Sequence, residues 1–92
     1  MNKITKLVKA IKYTNLAAKY AIKGNLFLSS GWLSVYRWHL IDWCGYSDGY
    51  ADLAAYKIIQ KLKNKGIVDD DERKLIWKMV KIWNDGLEGF AP

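Results

Sequence analysis

Apolar residues recur along the chain at intervals of three and four positions, which is the spacing of one face of an α-helix. Seven glycines divide this pattern, and most of them stand where one periodic segment stops and another begins. The pattern predicts four helices, roughly over residues 2–23, 30–44, 48–65 and 70–84. Because the connections between them are short, successive helices are expected to be antiparallel. We therefore expect an all-α fold, a compact bundle of about four helices.

The first predicted helix has two different faces. At 100° per residue, its apolar face consists of Ile4, Leu7, Val8, Ile11, Ala18 and Ile22. The opposite face consists of Lys6, Lys9, Tyr13, Leu16 and Tyr20, with Lys12 at its edge. Because a bundle of this size needs a buried face from every helix, we expect the apolar face to pack in the core. Attachment of this basic amphipathic helix to a membrane surface is the alternative.

Polar residues ahead of the later helices predict where those helices begin. Ser29 or Ser30 is the expected N-cap of the second helix, and Ser47 or Asp48 that of the third. The second helix is apolar on two sides, which indicates a helix buried between neighbours. Its expected core stripe is Trp32, Tyr36, Leu40 and Trp43. That of the third helix is Ala51, Ala54, Ala55, Ile58, Ile59 and Leu62.

The fourth helix has the clearest start. Asp69 and Glu72 have the spacing of an acid-led capping box, in which each side chain bonds the other residue's backbone N–H. Ile67 and Val68 are expected to close the end of the bundle just before it. The expected core stripe of the fourth helix is Leu75, Ile76, Met79, Val80 and Trp83. Residues 84–86 are expected to end the helix. Two alternatives remain for the tail over 85–92: Leu87 and Phe90 fold back on the bundle, or the tail is loose.

Length and composition indicate one folded domain over residues 1–92. Apolar residues make up 51% of the chain and aromatic residues 14%, which is too rich for intrinsic disorder. The single cysteine excludes an internal disulfide. The N-terminus lacks the apolar core of a signal peptide, and the longest uncharged run is too short to span a membrane. These observations favour a cytoplasmic protein.

Charge is distributed unevenly. Residues 1–41 carry seven basic side chains and no acidic one, whereas residues 42–92 carry eight basic and nine acidic side chains. The first part is therefore +7 and the second −1. This asymmetry favours an anionic partner for the N-terminal part. A solvated face that keeps the protein in solution is the other interpretation.

No residue pattern predicts catalysis, a metal site or a bound cofactor. His39 and Cys44 lie five positions apart, which places them on different sides of one helix. They are therefore expected neither to meet as a nucleophile and base nor to bind zinc, which commonly takes four ligands. An enzyme would need acidic side chains such as Asp42, Asp48 and Asp52 to converge in a cleft.

Several apolar side chains do not fit the expected core faces, and these predict a protein-binding surface. Trp77 lies off the stripe of the fourth helix, with basic residues four positions to either side. Tryptophan and arginine are over-represented at interface hot spots. The expected protein-binding residues are Trp38, Ile41, Tyr56, Arg73, Trp77 and Lys81. A second layer of packing is the alternative explanation for them.

The favoured function is that of a non-catalytic interaction module that occludes or bridges a larger host protein or complex. In size and composition alone, the chain resembles the small accessory proteins and inhibitors of phages and mobile elements. A homo-oligomer is a variant of this hypothesis.

Two further hypotheses concern an anionic partner. One is a nonspecific nucleic-acid-binding protein whose basic face is Lys6, Lys9, Lys12, Tyr13, Lys19 and Tyr20. The basic residues are nearly all lysine, which does not favour base-specific recognition. The other is a peripheral membrane protein, or one that resembles bacteriocin-immunity proteins in size and composition. A helix-turn-helix from the last two helices is a structural variant, although its acidic start would repel phosphates.

Overall fold

The computed structural model describes residues 2–88, and their regular structure is four α-helices. The helices are α1 (Lys3–Ile22), α2 (Leu26–Asp42), α3 (Asp48–Asn64) and α4 (Asp70–Glu88). The predicted all-α bundle of about four helices is therefore confirmed. Phe90, in the predicted tail, lies outside the described residues.

The connection between α1 and α2 differs from the prediction. Gly24 ends α1 with a φ of 79°, a left-handed conformation that glycine adopts without steric cost. The next residue, Asn25, caps α2, because its side chain accepts a hydrogen bond from the backbone N–H of Leu28 at 3.0 Å. The prediction of Ser29 or Ser30 as the cap is wrong. Both serines lie inside the helix and are buried.

The predicted caps of the last two helices are confirmed. The Ser47 side chain accepts a hydrogen bond from the backbone N–H of Tyr50 at 3.2 Å. Asp69 and Glu72 form the reciprocal capping box, with bonds of 2.7 and 2.9 Å. Because a capping box satisfies backbone donors that a helix cannot satisfy internally, it fixes the first turn of α4.

The end of α4 was predicted too early. The helix continues through Asp85 and Gly86 to Glu88 instead of stopping near residue 84. Asn84 is buried, and the Ser34 hydroxyl donates a hydrogen bond to its side-chain oxygen. This tertiary contact with α2 holds the segment in a helix despite the low helix propensity of asparagine and glycine.

Helix α2 is the centre of the molecule and contacts the other three helices. Helix α1 packs along α2 and touches α3, while α3 and α4 also pack against each other. This arrangement explains why α2 is apolar on two sides. The core is formed mainly by the aliphatic residues Leu33, Ile59, Leu62, Val68, Ile76 and Val80. Among the predicted core positions, Leu75 and Trp43 are exposed instead.

The largest departure from the prediction concerns α1. Its buried residues are Ala17 and Ala21, not the aliphatic face. The Ser29 hydroxyl of α2 donates a hydrogen bond to the carbonyl oxygen of Ala17 at 2.7 Å. A contact this short between one helix's side chain and the other's backbone requires small residues on both sides. Helix α1 therefore packs through its alanines, and its larger aliphatic side chains point away from α2.

None of the helices in the described part of the chain combines the length and apolar character needed to cross a membrane.

Candidate interaction surfaces

The uncovered aliphatic face of α1 is the most distinctive surface of the molecule. Ile4, Leu7, Val8 and Ile11 are 74%, 61%, 58% and 49% exposed. We call these four residues the α1 stripe. Their i, i+3, i+4, i+7 spacing places them side by side over two turns. Ile22, farther along the same face, is exposed as well. A contiguous apolar patch of this kind marks an interaction site more often than scattered exposed residues do.

Lysines border the α1 stripe on both sides. With 100° between successive residues, Lys3 lies about 90° to one side of the stripe and Lys12 about 90° to the other. Both are exposed, as is Lys19, which lies beside Lys12 on the same border. Helix α1 contains no acidic residue. The α1 stripe is therefore an apolar surface with positively charged side chains on both of its borders.

The predicted basic face is divided by the packing of α1 on α2. The Tyr13 ring is half-buried, stacked on Trp32 at 5.9 Å and edge-on to His39 at 5.5 Å. The Tyr13 ring therefore makes its aromatic contacts within the protein. Tyr20 lies beneath the ammonium groups of Lys19 and Lys23, which are 6.0 and 5.8 Å from its ring centroid. The remaining basic-face lysines are half-buried Lys6 and Lys9 and exposed Lys12.

Four of the predicted protein-binding residues lie together where α3 meets α4. Tyr56 and Trp77 form an edge-to-face pair with ring centroids 5.5 Å apart. The Arg73 guanidinium donates a hydrogen bond to the Tyr56 hydroxyl at 3.0 Å, and the Lys81 ammonium lies 5.4 Å from the Trp77 ring centroid. Trp77 is half-buried and packs against the core. Much of this cluster is thus used in joining the two helices.

The other two predicted residues, Trp38 and Ile41, are half-buried on α2. The Arg37 guanidinium lies 5.0 Å from the Trp38 ring centroid, and Arg37 also pairs with Asp52 of α3 at 2.5 Å. Within residues 2–88, no hydrogen bond or aromatic contact joins Trp38 or Ile41 to the Tyr56–Trp77 cluster. The structure therefore does not bring all six residues into one patch.

His39 and Cys44 do meet, contrary to the prediction. The sulfur of Cys44 lies 3.7 Å from Nε2 of His39. This happens because α2 ends at Asp42, so that Cys44 is no longer on the helix and turns back. The same Nε2 lies 2.9 Å from the carbonyl oxygen of Lys6, to which it donates a hydrogen bond. A nitrogen that carries this hydrogen cannot also accept the thiol proton, so the pair lacks the geometry of a nucleophile and its base.

The acidic start of α4 is engaged in ion pairs. Asp70 accepts bonds from Arg73 at 2.9 Å and Lys63 at 3.2 Å, and pairs with Lys74 at 3.4 Å. Hydrogen bonds from Arg73, then Lys63, lower the pKa of Asp70 from 3.8 to about 2. In the part of the chain that the structure describes, no three potential metal-binding side chains cluster. Asp69 caps α4 and Asp70 pairs with three basic side chains, so these two acidic residues stabilise the start of the helix.

Two further apolar areas lie away from α1. At the α2–α3 corner, Trp43, Tyr46 and Tyr50 are exposed, and the two tyrosine rings stack at 4.3 Å. Between α2 and α4, a shallow hollow of about 210 Å³ is lined by Leu28, Gly31, Trp32, Val35 and Trp83. A Cβ at Gly31 would lie only 3.3 Å from the Trp83 ring, so a glycine at this position lets the ring approach α2 closely.

Comparison of the chain with protein-family models, with curated proteins and with solved structures found no match. Among the surfaces described above, the α1 stripe differs in two respects. It combines adjacent large aliphatic side chains with exposure, and a charge of one sign borders it. Sequence periodicity identified these residues but assigned them to the core. The alanines at positions 10, 17 and 21 were the indication that a different face of α1 packs closely.

Proposed function

We propose that this protein is a non-catalytic binding module that docks on a larger partner through the α1 stripe. The observation that supports the proposal is the exposure of four neighbouring aliphatic side chains on a helix that packs along α2 through other residues. Burying such side chains against a partner is favourable by about 25 cal/mol for each Å² of apolar area. The surrounding lysines steer the module towards an anionic surface.

This proposal keeps the expected non-catalytic binding of a larger partner and moves the contact surface from the predicted protein-binding residues to α1. The residues first expected to anchor the partner, Trp77 and Tyr56 above all, are engaged in contacts between α3 and α4. A partner that used them would have to compete with those contacts. The α1 stripe needs no such rearrangement, and interfaces of pre-organised proteins usually move little on binding.

The binding proposal is tested by site-specific photo-crosslinking in the source cells. A diazirine amino acid replaces Val8 in the stripe, and in a matched control it replaces Leu53, an aliphatic residue of α3 that is 52% exposed. We expect adducts from position 8 and few from position 53. We also expect Lys12→Glu with Lys19→Glu to suppress the adducts at position 8. Equal yields from the two positions would contradict the proposal.

A further inference from the structure

We infer that the surface bound by the α1 stripe is an anionic lipid bilayer, on which α1 lies flat. The inference rests on the proposed function and names its partner. The first argument is the shape of the contact surface. Helix α1 is seated along α2, so that its free side is a convex ridge. A bilayer surface adapts to such a ridge without a preformed groove.

The second argument is the placement of charge around the stripe. A helix lying in the interface buries its apolar face among the acyl chains and extends its lysines sideways to the headgroups. Lys3 on one border and Lys12 and Lys19 on the other are placed for this. Each lysine near an anionic membrane surface adds attraction, and no acidic residue of α1 opposes it.

The charge of α1 also argues against the other occupants. A second copy that docked stripe to stripe would bring the lysines of two α1 helices close together, and these like charges would repel each other. A nucleic acid would engage the lysines and leave the aliphatic side chains without a partner, since phosphates offer no apolar surface. A surface that is apolar inside and anionic at its edge contacts both the α1 stripe and the lysines that border it.

The inference is tested by co-sedimentation of the purified protein with lipid vesicles at low salt. The probes are vesicles of phosphatidylcholine alone and vesicles in which part of it is replaced by phosphatidylglycerol. We expect the protein to pellet with the anionic vesicles and to stay in the supernatant with the neutral ones. No pelleting with anionic vesicles would overturn the inference.

Paired variants separate the contribution of the stripe from that of net charge. Leu7→Gln with Ile11→Gln is expected to lower the partition coefficient at least about tenfold, because two aliphatic side chains leave the acyl region. The matched control is Leu53→Gln with Ile82→Gln, which changes side chains that are 52% and 63% exposed on α3 and α4. We expect the control to change the partition less than about twofold. Equal losses for the two variants, or none for the stripe variant, would overturn the inference.

Circular dichroism of all variants shows whether the helices remain folded, which is expected because every substituted side chain is exposed. The two proposals can also fail separately. Position-dependent crosslinks to a protein or a nucleic acid, without vesicle binding, would overturn the lipid partner and leave the binding module intact. Absence of both crosslinks and vesicle binding would overturn both.

Discussion

Two buried polar side chains, Ser34 of α2 and Asn84 of α4, join distant parts of the chain. The Ser34 hydroxyl donates a hydrogen bond to the side-chain oxygen of Asn84, fifty residues later. A buried acceptor that loses its donor retains the full cost of having left water. The pair therefore fixes the position of the last helical turns relative to α2, beyond what apolar contacts specify.

Substitution of Ser34 by alanine is expected to destabilise the fold by about 1–3 kcal/mol, because the Asn84 oxygen then lacks its donor. Adding Asn84→Leu is expected to recover part of this loss, since neither buried polar group then remains. Urea unfolding of the wild type, both single variants and the double variant measures the coupling. Strictly additive effects would show that the two side chains act independently.

Asp70 gives stability a dependence on acid pH. Its folded-state pKa of about 2 lies below its ordinary value of 3.8. A carboxyl group with a lowered folded-state pKa stabilises the fold above its unfolded-state value, and this contribution disappears as the pH falls through the folded-state value. The sensitive interval is therefore between about pH 4 and pH 2.

Asp70→Asn removes this titration. We expect the wild-type melting temperature to fall more steeply than that of the variant as the pH is lowered from about 4 to about 2. Above this interval, the variant is expected to be the less stable protein, because it lacks the ion pairs with Arg73 and Lys63. Thermal unfolding followed by circular dichroism provides the comparison. Parallel curves would mean that these pairs contribute nothing.

At the scale of the element, the packed side of α1 is decided by how closely two backbones approach. The alanines of α1 and the serines of α2 allow the contact between Ser29 and Ala17, which larger side chains would prevent. The α1 stripe lies on another side of the helix, so it contributes little to stability. Helix α1 thus separates the residues that hold it in place from those available to a partner.

Opposite effects are expected from substitutions on the two sides of α1. Ala17→Leu should destabilise the fold by about 1–3 kcal/mol, since a fully buried position has no room for the added atoms. Leu7→Ala should cost less than about 1 kcal/mol, because the side chain is exposed. Denaturant unfolding measures both. A loss near 3 kcal/mol for Leu7→Ala, as for a buried leucine, would contradict the packing described here.

Local chemistry made most of the helices predictable. The capping box of Asp69 and Glu72 involves only neighbouring residues, so it follows from spacing alone. The start of α2 did not follow, because Asn25 and Ser29 are both good caps and only tertiary contact with Ala17 decides between them. Periodicity showed where the aliphatic residues of α1 lie. It could not show which side of the helix α2 would occupy.

The candidate surface was predictable only in its parts. Sequence reasoning selected Trp77 and Tyr56 because they lie off the core faces, but two adjacent helices can share such residues in a common seam. The approach of His39 and Cys44 was missed because it depends on where α2 stops. The first case required knowledge of the contact between α3 and α4, and the second required knowledge of where α2 ends.

At the scale of the whole molecule, the net positive charge comes from the part of the chain that contains α1 and α2. The segment up to residue 41 carries +7, and the remainder carries −1. A net charge of +6 distributed in this way gives the protein a preferred orientation at any anionic surface. The position of the lysines therefore matters more than their number.

Cation-exchange chromatography tests this orientation. The first variant combines Lys12→Glu with Lys19→Glu. The control combines Lys57→Glu with Lys78→Glu. All four lysines are exposed, and each variant has a net charge of +2. We expect the first variant to elute at the lower salt concentration, because it removes charge from the contacting side. Identical elution would show that the protein presents no preferred side.

The uncovered stripe of α1 also has an evolutionary consequence. Exposed positions with no role in folding drift towards polar residues, because polar side chains there cost nothing. By contrast, the small residues Ser29 and Ala17 are constrained in size by the contact between their helices. Among homologues, we expect aliphatic residues to persist at positions 4, 7, 8 and 11 where docking is under selection. Polar residues at these four positions would identify homologues that no longer bind the partner through α1.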